Sequence, residues 1–247
     1  MADVDRSHIL LPFVNQVLQL SPQLNKKNDK FIEGVKSGQF VNSVTNALLP
    51  DELHFVPCAI DHNYVEWTPR DNGGGFVAVH DVQSDVVKKA REASKGGLDL
   101  KTPAGNDLQE TFYIYGIRTS GPGTGAEEAV VLSFSKTKIK SYKTITTRLF
   151  TWKGTKQVPL FAYQLVMKSF DTQNKKGQPY SNVTIEPAVE NDIQKSLLPP
   201  LIDGKPNPLL LAGKELYEGF KGSLVRADHA SQEAAPPAAE GGTDKIF

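Results

Sequence analysis

Apolar residues along this chain fall mostly into short runs of strand character, separated by clusters of Gly, Pro, Asn and Asp. Residues 53–60 and 62–68 are two strands by their β-branched and aromatic content, with Asp61-His62 as the tight connection between them. Asp71-Asn72-Gly73-Gly74-Gly75 is the clearest hairpin signal, because three glycines supply the positive φ angles such turns need. Residues 76–80 return as a third strand. Further strands are predicted at 38–45, 111–117, 129–134, 160–168 and 180–186, with a glycine-rich loop at 120–125 and a turn at 171–178.

A helical period appears in fewer places. Residues 8–20 carry Ile9, Leu10, Phe13, Val14, Val17 and Leu18 at spacings that suit a short helix or an extended arm. After Ser135, an acceptable N-cap, Ile139, Tyr142, Ile145 and Leu149 share one side of a helix and Lys136, Lys140 and Lys143 point elsewhere. Residues 209–220 form another helix, with shorter polar candidates at 85–93 and 191–198. At least seven strands around one mid-chain helix predict a mainly β, α+β domain, an antiparallel barrel or sandwich. From residue 226 the Ala/Pro/Gly-rich composition cannot bury a core, so 226–247 is expected to be a disordered tail.

Composition narrows the function classes. The 28 basic and 28 acidic residues cancel, which argues against a wholly basic, histone-like binder and leaves any polyanion site to a local patch. Cys58 is alone, so no internal disulfide and no cysteine zinc cluster can form. No apolar stretch approaches membrane-spanning length, and Met1 to Leu11, with Asp3 and Asp5, does not have the pattern of a secretory signal.

The charge is sorted locally. Between Ala129 and Phe170 there is no Asp or Glu, while Lys136, Lys138, Lys140, Lys143, Arg148, Lys153, Lys156 and Lys168 are all present. Such a segment attracts phosphates through counterion release, and interleaved rings can stack on unpaired bases. The candidate phosphate contacts are Lys136, Lys138, Lys140, Lys143, Arg148, Lys153 and Lys156; the candidate stacking rings are Tyr64, Trp67, Tyr113, Tyr115, Trp152 and Tyr163. Tyr113 and Tyr115 share one strand face and Phe112 and Ile114 the other, so one pair is core and the other open, with the choice left to the structure.

Catalytic constellations are thin. Gly121-Pro122-Gly123-Thr124-Gly125 lacks the Gly-Lys-Ser/Thr ending of a phosphate loop, and a strand follows it. The five histidines, His8, His54, His62, His80 and His229, have no metal-ligand spacing, and His62 with Glu66 makes at most a surface contact. No enzyme, cofactor or metal is expected. The chain closes on Thr243-Asp244-Lys245-Ile246-Phe247, and a terminal aromatic with its carboxylate can fill a basic-rimmed pocket on a partner.

Leu11-Pro12-Phe13 with Leu20-Ser21-Pro22, residues 38–45, Val56-Pro57-Cys58, Glu66-Trp67-Thr68-Pro69-Arg70-Asp71 before the three glycines, and residues 132–138 before a lysine-rich helix resemble a family of tailed-bacteriophage proteins from the replication and recombination region. The resemblance covers most of residues 9–188 and implies an OB-like antiparallel β-barrel that binds single-stranded DNA in the host cytoplasm; with an N-terminal arm and C-terminal helices the domain is expected to span 1–225. The tip is separately similar to the acidic tails of bacterial and phage single-stranded DNA-binding proteins, which end in Phe. That similarity makes Asp244, Ile246 and Phe247 candidate contacts to replication or recombination proteins. A virion structural or assembly protein, and a recombination accessory acting through its tail, are the alternatives.

Overall fold

A computed structural model of the chain describes residues 10–97, 99–152 and 158–229. Its spine is β5, Glu52–Trp67, one strand of 16 residues where the sequence suggests two. The polar pair Asp61-His62 does not turn, because β8 (Asp107–Thr119) supplies it with ladder partners at Tyr113 and Phe112. Tertiary pairing overrides a local turn preference here. On its other edge β5 changes partner: Glu52 to Phe55 pairs with β10 (Leu165–Gln173), and Asn63 to Trp67 pairs with β6 (Phe76–Asp81). Between these two stretches the ladder to β8 is interrupted by a bulge at Pro57 to Ala59, which bends the strand.

Outward from β8 lie β9 (Ala126–Ser135), β2 (Phe13–Gln16), β3 (Phe40–Asn42) and β4 (Leu48–Leu49). Outward from β10 lies β11 (Pro179–Pro187), so the sheet order is β11-β10-β5-β8-β9-β2-β3-β4, with β7 (Leu100–Lys101) added to β8. The β2 strand runs parallel to β9, which makes the sheet mixed. It curls into a half-barrel whose end strands β4 and β11 do not pair, so the expected closed antiparallel OB-like barrel is corrected to an open one.

Strands of three and two residues, β3 and β4, are too short to complete a ring. Side chains bridge instead. The Gln16 amide Nε2 donates to Ser169 Oγ at 2.8 Å and to the Asn182 carbonyl at 3.1 Å, and the Ser37 and Ser181 hydroxyls bond at 3.2 Å. The Ser141 hydroxyl donates to the Val183 carbonyl, tying β11 to the mid-chain helix. Such side-chain contacts, with prolines at both ends of β11, leave less of an end strand open to another chain.

Among the described residues three α-helices complete the fold: α1 (Asp85–Ser94), α2 (Ile139–Thr151) and α3 (Pro208–Lys221). Ser84 caps α1 through the Val87 amide, and Asn207 caps α3 through the Leu209 amide with Pro208 next to it. Ser135 makes no such side-chain bond, because the 3-10 turn Lys136–Lys138 intervenes before α2 begins. The α2 helix lays Tyr142, Ile145 and Leu149 into the concave side of the sheet, against Phe40, Phe55, Ile114 and Phe134. On the opposite side, α3 sets Leu216 and Phe220 over Tyr113, Tyr115 and Val131, and Leu209 over Val56 and Ile117.

Of the short helix or extended arm expected at 8–20, the described part takes the extended form: β1 (Leu10–Leu11) pairs in parallel with β14 (Arg226–Ala227), and β2 enters the main sheet beyond Pro12. Two other expectations change. Arg226 and Ala227, placed by composition in the tail, therefore belong to a strand. Residues 191–198 make turns, with the Asp192 carboxylate accepting from the amides of Gln194 and Lys195. The hairpin of β12 (Leu201–Ile202) and β13 (Lys205–Pro206) then leads into α3.

Candidate functional site

The candidate site is the helix α2 and the turn that enters it. Counting from Lys136, residues 140, 143, 147 and 150 recur at alternating steps of four and three, which puts them on one helical stripe. Lys140, Lys143, Thr144, Thr147 and Phe150 are all exposed. Lys136 is exposed too, in a left-handed backbone conformation at φ 52° where β9 gives way to the 3-10 turn. The Lys143 ammonium lies 5.6 Å from the centroid of the Phe112 ring. Lys140 has no ion-pair partner among the described residues.

Not every expected cation belongs to this stripe. Arg148 is half-buried, and its guanidinium donates to the Asn191 side chain at 2.8 Å and the Asn191 carbonyl at 3.1 Å. These bonds tie α2 to the turn at Asn191, off the stripe of Lys140 and Lys143. Lys138 falls four, seven and eleven residues before Tyr142, Ile145 and Leu149, so it shares the apolar stripe. Its side chain lines a cavity of about 10 Å³ with Gln16, Phe40, Ser133, Met167 and Val183, room for a single water. Burial pulls the Lys138 amine down to about 8. Lys153 and Lys156, and the tip residues Asp244, Ile246 and Phe247, lie outside the described residues.

The stacking expectation is corrected for five of six rings. Tyr64, Trp67, Tyr113, Tyr115 and Tyr163 are buried, between 0% and 6% exposed. Tyr64 takes a hydrogen bond from Arg91 at 2.9 Å beneath α1, Trp67 meets Phe76 edge-on, and Tyr115 lies 4.7 Å from the Phe220 ring of α3. Burial drives the hydroxyls of Tyr115 and Tyr142 up to about 12. The choice between the two faces of β8 also resolves: Tyr113, Tyr115 and Ile114 are all core, since the strand is covered on both sides, and Phe112 alone is half-exposed. Trp152 is half-buried at the C-cap of α2.

Rings outside the expected set are accessible, three of them on or beside α2. Phe150 is 76% exposed on the lysine stripe. His62 stacks on Phe112 at 4.0 Å, and Phe112 on Tyr142 at 4.5 Å, a column that runs from the surface into the core. His62 is not bound to Glu66; its Nε2 meets Glu110 at 2.9 Å. Glu66 is instead buried among Asn106 (2.7 Å), His80 (2.7 Å) and Thr102 (3.2 Å). Burial opposes ionisation of Glu66, but the bonds from Asn106, His80 and Thr102 outweigh it and hold the carboxyl below its ordinary range.

The helical offset would have revealed Phe150, because it follows Lys143 by seven residues, whereas Leu149 follows Tyr142 and Ile145 on the core side. Among the described residues no cluster of three or more His, Cys, Asp or Glu is placed to hold a metal. No helix among them is long and apolar enough to cross a membrane.

The depressed Lys138 value has a consequence for stability. An ordinary lysine in the unfolded chain keeps its proton to about 10.5, whereas the folded chain gives up the Lys138 proton near 8. Between those values the unfolded state binds more protons, so this residue adds stability as pH rises and costs stability below pH 8. Lys138→Met is expected to gain about 1–2 kcal/mol at pH 7, less than the whole shift because the side chain is partly exposed, and to lose the gain by about pH 10. Urea denaturation at several pH values checks this as a difference between variant and wild type. The comparison is needed because the buried Cys58 thiol and the two phenols, all raised to about 12, act in the opposite direction above about pH 9. A variant less stable than wild type at pH 7 would contradict the inward placement.

Comparison with curated proteins and with solved structures yields no match. Among family models, the one described as Pam3 phage gp34-like protein matches residues 1–225.

Proposed function

The chain belongs to the Pam3 phage gp34-like protein family, and for this bacteriophage protein we propose binding and protection of single-stranded DNA during phage DNA replication or recombination in the host cytoplasm. The observation that carries the reading is the outward face of α2 with the turn that enters it. The turn presents Lys136 and the helix Lys140 and Lys143, in a segment of 42 residues, 129–170, that contains no carboxylate side chain. Clustered ammonium groups with no acid on their own segment favour a polyanion through counterion release. The half-exposed Trp152 and the accessible rings of Phe150, His62 and Phe112 supply apolar surface beside them.

Fluorescence anisotropy with a labelled oligonucleotide tests the proposal. Three phosphate contacts predict a slope of log affinity on log salt of about −2, at about −0.7 per contact on single strands. Affinity for single-stranded DNA is expected to exceed that for duplex. A flat salt response, or equal affinity for duplex, overturns the reading.

A second reading has its own observation. Leu201, Ile202 and Leu211 are 55%, 43% and 56% exposed on the hairpin and helix that follow residue 200, apolar surface suited to protein contacts in a virion or assembly intermediate. Recovery of the protein from purified particles, with no oligonucleotide binding, favours that role.

A further inference from the structure

We propose that the nucleic-acid strand runs along the outside of α2, not in the hollow of the half-barrel, and that Phe150 is the side chain on which an unpaired base stacks. This deepens the reading of α2 as a single-strand site and rests on it.

The hollow is closed to a strand. Tyr142, Ile145 and Leu149 fill the concave side of the sheet, and the cavity left beside Lys138 has room for one water. An open barrel face could have offered its strand aromatics to bases; here Tyr64, Trp67, Tyr113 and Tyr115 are between 0% and 6% exposed, Phe112 is half-exposed beside Lys143, and Phe170, 44% exposed, lies in the second half of β10. What remains accessible is a continuous stripe on α2. Lys140 and Lys143 occupy its first half, the hydroxyls of Thr144 and Thr147 its middle, and Phe150 its end.

Phe150 stands apart from the other phenylalanines among the described residues. It is 76% exposed, against 44% for Phe170, and among the described residues it makes no ring contact. Lone exposed apolar side chains are ordinary on protein surfaces. This one, however, lies roughly 10 Å beyond Lys143 along the axis of the same lysine-bearing face, at 1.5 Å per residue. A chain whose phosphates lie on Lys140 and Lys143 can therefore swing a base onto the ring without leaving the helix. Only an unpaired base presents a free π-face to it, so the ring selects single strand over duplex, while the lysines alone do not.

Phe150→Ala and Phe150→Trp, compared with wild type in salt titrations on single-stranded and duplex oligonucleotides, separate the two contributions. Phe150→Ala is expected to lower single-strand affinity about tenfold, the scale of one base–aromatic stack, with an unchanged salt slope and unchanged duplex affinity. Phe150→Trp is expected to retain wild-type affinity. Irradiation of wild type with an oligonucleotide bearing 5-iodouracil, followed by mass spectrometry of the peptides, is expected to place the crosslink on Phe150. Wild-type affinity in Phe150→Ala, or a crosslink confined to the sheet, overturns the stacking assignment. If Lys140→Glu/Lys143→Glu still weakens binding in that case, the phosphate contacts stand without it; if wild type binds no oligonucleotide, both proposals fall.

Discussion

Lys140→Glu/Lys143→Glu is expected to lower affinity for single-stranded DNA about a hundredfold at about 0.1 M salt, with the fold unchanged. At about −0.7 per phosphate contact, each lysine removed forfeits a factor of about five at that salt, so loss of both contacts gives about 25-fold. Reversal of the charge adds repulsion between two new carboxylates and the phosphates, which supplies the rest. Both side chains are exposed, and among the described residues neither hydrogen-bonds another side chain, so the substitutions leave no buried group there unpaired. The Lys143 contact with Phe112 is the one internal interaction removed, and its cost at an exposed site is about 0.5–1 kcal/mol. Anisotropy measured alongside circular dichroism checks the result. A loss of less than fivefold with the fold intact would move the phosphate contacts away from α2, for instance to the hairpin lysines Lys175 and Lys176.

The same helix shows what a sequence can and cannot convey about such a site. The position of α2 and its core stripe of Tyr142, Ile145 and Leu149 follow from a 3.6-residue period, and the period was visible because both faces of the helix differ in polarity. The allocation of Lys138 to the core stripe was equally visible in its spacing, yet residue type suggested a surface lysine. The rings could not be assigned in the same way. On a strand covered on one face, alternation tells core from surface; β8 is covered on both, by α2 and by α3, so Phe112, Tyr113, Ile114 and Tyr115 carry no contrast for alternation to report. The continuous strand β5 was hidden for a related reason. Its polar middle, Asp61 to Asn63, is held straight by β8, a partner some fifty residues away in the chain.

Closure of the barrel depends on features still less local. Whether β4 meets β11 is decided by the lengths of two strands and by where Gln16 can reach, and neither has a signature in the hydrophobic pattern. The open seam nevertheless bears on the site. Because the Ser141 hydroxyl bonds to the Val183 carbonyl and Gln16 reaches the neighbouring Asn182 carbonyl, α2 is anchored at the gap itself. The stripe of lysines on its far side is therefore presented by a fixed helix and not by a loop, which gives the side chains a defined spacing for a polymer of regular repeat.

Gly116→Ala is expected to cost at least about 3 kcal/mol, the largest stability loss predicted for a single methyl group in this chain. A Cβ at this position would sit 2.7 Å from the Val56 carbonyl oxygen and 3.5 Å from the Phe55 ring. Neither neighbour can retreat, since Phe55 and Val56 are fully buried, one in each of two adjoining cores. The close approach arises from the bulge at Pro57 to Ala59, which leans the β5 backbone onto β8 where Gly116 pairs with Pro57. Relief of the contact would require the bulge to flatten, which would shift the junction where β5 exchanges β10 for β6. Overpacking in cores commonly costs about 1–3 kcal/mol, and the obstacle here is backbone, so the upper end is the floor. For a chain of this length the melting temperature should fall by about 6–12 °C. Gly125→Ala serves as the matched control: it has no atom within 4 Å of its would-be Cβ and is expected to change stability by less than about 0.5 kcal/mol. A Gly116→Ala variant as stable as that control would mean that β5 can straighten at no cost, and the bent spine would not be the element that sets the curvature of the sheet.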